Sequence, residues 1–86
     1  MSAAGTKKYL QQVSQVMDSL ADWSIASLEE KLHDLQISLG QKPRPAFMTI
    51  RLAVTGRPAT PPLFDVLSIL GKNEVIKRLT YVQKTL

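Results

Sequence analysis

The sequence predicts an all-α domain, a small bundle of about five helices. Three observations carry that expectation. Several segments repeat apolar residues at spacings of three and four, the period of one helix face. Glycines and prolines punctuate the chain between those segments. The one β-branched stretch, Phe47 to Val54, has no second run with which to pair, and a lone strand is not stable.

The first periodic segment holds Tyr9, Leu10, Val13, Val16, Met17 and Leu20 on one face, with Gln11, Gln12, Ser14, Gln15 and Asp18 between them. This helix should end near Asp22–Trp23. Residues 1–6 are small, with nothing to pack, and read as a flexible start or cloning remnant before a domain spanning 7–86. Ser24 is the favoured N-cap of the next helix, because Ile25 already joins the stripe Leu28, Leu32, Leu35 and Leu39. Ser27 with Glu30 fits an alternative capping box. Gly40 supplies a left-handed stop.

Residues 41–45 (QKPRP) read as a loop, since prolines are excluded from helix interiors. Residues 47–54 are then better a short helix carrying Phe47, Ile50 and Val54, ended by Gly56. The bend from Arg57 to Pro62 leads into a helix with Pro61 or Pro62 in its first turn. Its stripe is Leu63, Val66, Leu67 and Leu70, and Gly71 closes it. Asn73 is the expected cap of the last helix, which buries Val75, Ile76, Leu79 and Val82.

The chain has 86 residues, enough for one small domain and too few for most enzymes that must enclose a catalytic cleft alone. It has no cysteine, which excludes disulfides and thiolate metal sites and suits a reducing, cytoplasmic setting. No apolar run approaches the ~20 residues of a spanning helix, and Lys7 and Lys8 open an amphipathic stretch, not a signal sequence. The net charge of +4 is unevenly spread: −2 over residues 1–40 and +6 over residues 41–86. A basic half suits an anionic partner, nucleic acid above all, or is simply a solvated surface.

Catalytic constellations are missing. His33 is the single histidine and reads as a surface residue. Glu29 and Glu30 are adjacent and diverge on a helix. Gly71-Lys72 lacks the upstream glycine and following Ser or Thr of a phosphate loop. Trp23 between two helices reads as core more than as a stacking platform, and Phe47 and Met48 as core more than as a cofactor box. The aromatics are not interleaved with the basic residues along the chain, unlike the stacking sheets of RNA-binding modules.

From Arg51 onward the sequence RLAVTGRPATPPLFDVLSILGKNEVIKRL resembles the C-terminal end of bacterial-type glutamyl-tRNA synthetases. In that family a segment R-x-A-L-T-G precedes a bend S/T-P-x-L-F, then L-x-x-L-G-K and a final R-L. Here Arg51, Ala53, Val54, Thr55 and Gly56 match the first element. Thr60, Pro61, Leu63 and Phe64 match the second. Leu67, Leu70, Gly71 and Lys72 match the third, and Arg78-Leu79 the last. Val54 stands where leucine is usual and Pro62 where glycine is common. Trp23 to Gly40 resembles the family more weakly.

The resemblance implies a helical anticodon-binding domain that contacts the first and second anticodon bases of a glutamate-accepting tRNA. It implies that Arg51 hydrogen-bonds a base, and that Thr60, Pro61 and Leu63 form the bend on which splayed bases pack. Arg57, with Lys42, Arg44 and Lys72, would meet phosphates. Arg51 pairing with Asp65 or Asp34, Thr60 as a helix cap, and Pro61 and Leu63 as core shape are the structural alternatives. The implied parent is a class I ligase using ATP, whose catalytic domain is the other expected partner. This chain itself would hold no cofactor, catalyse nothing, avoid membranes and be monomeric. A small helical module that docks another protein is the alternative function.

Overall fold

The computed structural model describes residues 3–86. Over them the chain forms five α-helices and no strand: α1 (Ala3–Asp18), α2 (Ile25–Ser38), α3 (Pro43–Thr55), α4 (Leu63–Leu70) and α5 (Lys72–Thr85). The expectation for Met1 and Ser2 lies outside the described residues. The stretch 3–6, expected to precede the domain, forms the first turn of α1. Extending a helix whose next turns are packed costs little, and Thr6 is itself half-covered beside Leu10 and Leu86.

The apolar stripe of α1 is buried as its period predicts, from Tyr9 and Leu10 through Val13 to Met17. The helix ends at Asp18, earlier than the stripe suggests. Two local bonds explain the stop. The Ser19 hydroxyl donates to the Val16 carbonyl at 2.7 Å. The Leu20 amide turns back to Met17 at 3.2 Å, a tighter turn that still buries Leu20.

Ser24 caps α2: its backbone is extended and its Oγ accepts the Ser27 amide at 3.2 Å. At the other end Gly40 takes φ +67°, its amide donates to Ile37, and the Gln41 amide donates to Gln36. That pair of bonds is a Schellman stop, and the left-handed residue in it favours glycine.

The 41–45 loop is corrected. Helix α3 begins at Pro43, and both Pro43 and Pro45 lie in its first turn. The first amides of a helix have no intrahelical acceptor, so prolines without N–H lose nothing there. The remainder of α3 settles 47–54 as helix, with Ala46, Ile50 and Val54 buried. Gly56 ends it at φ +72°. Helix α4 starts one residue after Pro62.

Gly71, at φ 84° and ψ 159°, is both the end of α4 and the start of α5. Its carbonyl accepts the Val75 amide at 3.1 Å, so α5 already begins at Lys72. Asn73 is therefore inside the helix and caps nothing, against the sequence expectation.

Helix α1 packs most extensively on α5, while α2 lies on α4 and α3 on α5. The shared core contains Leu10, Leu28, Leu32, Ile50, Leu67 and Leu79, all fully enclosed. Each such side chain contributes roughly 1.5–3 kcal/mol. Two polar ends are tied across helices. The Tyr9 hydroxyl donates to the Ala46 carbonyl at 3.2 Å, and burial pushes the Tyr9 phenol up to about 12. The half-buried Trp23 donates its Nε1–H to the Leu67 carbonyl at 2.9 Å, so it anchors α4.

Candidate RNA interface

Three aromatic rings meet where α2, α3 and α4 converge. His33 stands edge-on to Phe47 at 4.8 Å between centroids, and Phe47 stands edge-on to Phe64 at 5.6 Å. All three rings are half-buried, and Phe47 packs edge to face with both of the others, the arrangement aromatic quadrupoles favour. They line an open depression of about 780 Å³, within the range of small-ligand pockets. Pro43, Arg44, Met48 and Arg51 complete its walls.

His33 is thus not a simple surface residue, and Phe47 and Met48 border an opening instead of lying wholly in the core. Sequence order hid this cluster. His33, Phe47 and Phe64 lie on three different helices, and only the packing brings them beside two arginines. The available signal was positional: Phe47, Met48 and Arg51 fall at helical spacing, so one face of α3 was already mixed aromatic and cationic.

Arg51 occupies that face. Its Nε is completely enclosed and has no hydrogen-bond partner. It pairs with neither Asp34 nor Asp65; the ion pair found among the described residues joins Glu74 and Arg78. An enclosed donor without an acceptor costs about 1–3 kcal/mol, more when it carries charge.

The proline bend leaves from the same corner. Gly56 follows Arg51 by little more than a turn, and Phe64 is the second residue of α4. One hydroxyl joins the bend to Arg51: Thr55 Oγ1 donates to the Arg51 carbonyl at 2.7 Å and accepts the Arg57 amide at 3.1 Å. Arg57 and Pro61 are exposed, and Thr60 is half-buried. The Thr60 hydroxyl donates to the Pro61 carbonyl at 2.8 Å and does not cap α4. Leu63 is only 4% exposed, so its side chain fills the core. Any contact from position 63 to a base would run through the backbone.

The other cations divide. Lys42 and Arg44 are exposed at the start of α3. Two of the first-turn residues there are prolines, so attraction for an anion rests on these side chains more than on amides. Lys72 is differently placed. Its Nζ donates to the carbonyls of Asp18 at 2.6 Å and Leu20 at 3.1 Å. A cation there complements the C-terminal end of the α1 dipole and acts as a helix cap. Arg78 also serves the fold, donating to the Val54 carbonyl at 2.9 Å and to Glu74 at 3.1 Å.

The family model of the anticodon binding domain matches residues 1–83. This chain belongs to the anticodon binding domain family. It is 42% identical over 79 residues to the glutamate–tRNA ligase of Roseiflexus castenholzii, covering 92% of this chain and 16% of that one. It is 47% identical over 66 residues to the glutamate–tRNA ligase of Mycobacterium leprae, covering 76% of this chain and 13% of that one. A third glutamate–tRNA ligase, from Gloeobacter violaceus, is 50% identical over 58 residues, covering 67% of this chain and 11% of that one. The chain therefore spans 11–16% of the length of these relatives. No helix among the described residues is long and apolar enough to cross a membrane.

Proposed function

We propose that this domain binds the anticodon loop of a glutamate-accepting tRNA as the C-terminal anticodon-binding domain of a glutamate–tRNA ligase. The observation that carries the reading is Arg51: a guanidinium with an enclosed, unpartnered Nε, set in an aromatic-lined opening beside an exposed proline bend. Anticodon bases are unpaired and can be splayed onto such surfaces, with their edges open to hydrogen bonds. Arg51 offers donors to one base edge. The rings of Phe47 and Phe64 offer apolar surface to its face. Thr60 and Pro61 present main-chain and apolar groups to the neighbouring base, and Arg57, Lys42 and Arg44 hold phosphates without reading sequence.

The reading extends to a cytoplasmic, monomeric class I ligase whose ATP chemistry resides in a separate catalytic domain. This domain then adds affinity and base selectivity and performs no chemistry itself. One observation favours the alternative of protein docking: an apolar groove between α1, α3 and α5, walled by Leu10, Leu52, Val82 and Leu86.

Fluorescence anisotropy with a labelled glutamate tRNA anticodon stem-loop, at low salt, tests the reading. Tighter binding than to a loop with the first two anticodon bases exchanged supports it. Equal binding to both loops, falling away together with salt, would reduce it to phosphate attraction.

A further inference from the structure

We propose that His33 is a second base-reading residue of this opening, hydrogen-bonding the edge of the same nucleobase that Arg51 contacts. The proposal rests on the anticodon-binding reading above and adds a residue from α2 that lies outside the motif segment beginning at Arg51. Three observations carry it. His33 lines the same depression as Arg51 but comes from a different helix, α2 and not α3. Its ring is held at 4.8 Å, nearly perpendicular to Phe47 at 84°, and lies 6.2 Å from Phe64. Among the described residues neither ring nitrogen has a hydrogen-bond partner, although the residue is half-buried.

His33 is packed through its ring, while its nitrogens are not among the enclosed unpartnered atoms and so stay open to a ligand. A neutral imidazole carries one donor and one acceptor, and either tautomer can be selected by what it meets. That suits a pyrimidine or purine edge, where donors and acceptors alternate. Arg51 offers donors alone. The two side chains together therefore test both kinds of group on one base, and a wrong base leaves a desolvated polar group unpaired on at least one side. Phe47 restricts the ring plane, which lowers the ordering cost on binding.

Two substitutions separate this role from packing. His33→Phe keeps a ring against Phe47 and Phe64 and removes both nitrogens. His33→Gln restores a donor and an acceptor on a side chain without a ring. The 86-residue chain is titrated with the glutamate tRNA anticodon stem-loop and with loops changed at one anticodon base at a time. His33→Phe is expected to melt as the parent chain does and to bind the cognate loop about five- to tenfold more weakly, the size of one neutral hydrogen bond. The loss is confined to discrimination at one base, and His33→Gln recovers part of it.

If His33→Phe matches the parent on every loop while Arg51→Met weakens binding, the His33 role is overturned and the anticodon reading stands. If all loops weaken equally and the melting temperature falls, His33 is structural and the proposal is again overturned. If the parent chain itself distinguishes no loop, both readings fall together.

Discussion

Two groups of basic side chains sit at opposite fates in one small bundle. Lys72 and Arg78 reach across the fold to main-chain carbonyls at the ends of α1 and α3. Arg51 closes no such bond through its enclosed Nε, and Arg44 and Arg57 stand exposed. The same residue types therefore divide between holding helices together and facing outward. The motif's Gly56 and Gly71, with Lys72 and Arg78, build the frame. Arg51 and the bend are what that frame presents.

Removing the Arg51 guanidinium should give the largest binding effect. Arg51→Met is expected to weaken the cognate stem-loop by about tenfold or more, in line with the ~1–3 kcal/mol of one base contact. Stability should hold or rise, because an enclosed unpartnered donor is removed. Calorimetry and a binding titration on one preparation check both halves. Arg78→Met should do the reverse. Loss of its bond to the Val54 carbonyl should cost about 1–2 kcal/mol in urea unfolding, with unchanged RNA affinity under conditions where the variant is folded. A variant of Arg78 that folds normally and loses RNA would erase the distinction.

The frame has a titration of its own. The unfolded phenol of Tyr9 releases its proton at about 10, and the folded one at about 12. Between those values the folded state holds more protons, so stability falls as pH rises, by up to about 1.4 kcal/mol per pH unit. Urea midpoints from pH 9 to 11 should drop less steeply in Tyr9→Phe than in the parent chain. Lys72→Met, removing the α1 cap, should cost roughly 1 kcal/mol. Arg57→Gln should produce the smallest change: slightly weaker binding to every loop and a salt slope lowered by about one contact.

Much of this frame was legible in the sequence, and for physical reasons. Stripes such as Val13–Met17 and Val75–Leu79 are dictated by a 3.6-residue period that tertiary packing does not alter. Ser24 and Gly40 were legible because a cap oxygen and a positive φ are local requirements. The misreadings arose where local rules compete. Pro43 and Pro45 looked like breakers, yet a first turn has amides to spare. Asn73 looked like a cap, yet Gly71 turns the chain so sharply that the helix precedes it.

The site was legible only along the chain. Arg51 and the bend stand in one segment and carry a family resemblance. The His33–Phe47–Phe64 cluster is assembled by long-range packing, and no spacing announces it. The destination of Lys72 was hidden for the same reason, since its partners lie more than fifty residues earlier.

The most direct test of the division is a 15N HSQC titration of the chain with the glutamate tRNA anticodon stem-loop. The predicted result is a set of shifts at Arg51, Arg57, Thr60 and Phe64, with His33 and Phe47 included and Lys72 and Arg78 nearly still. Shifts centred on Lys72 and Arg78, with the Arg51 corner unmoved, would contradict the account.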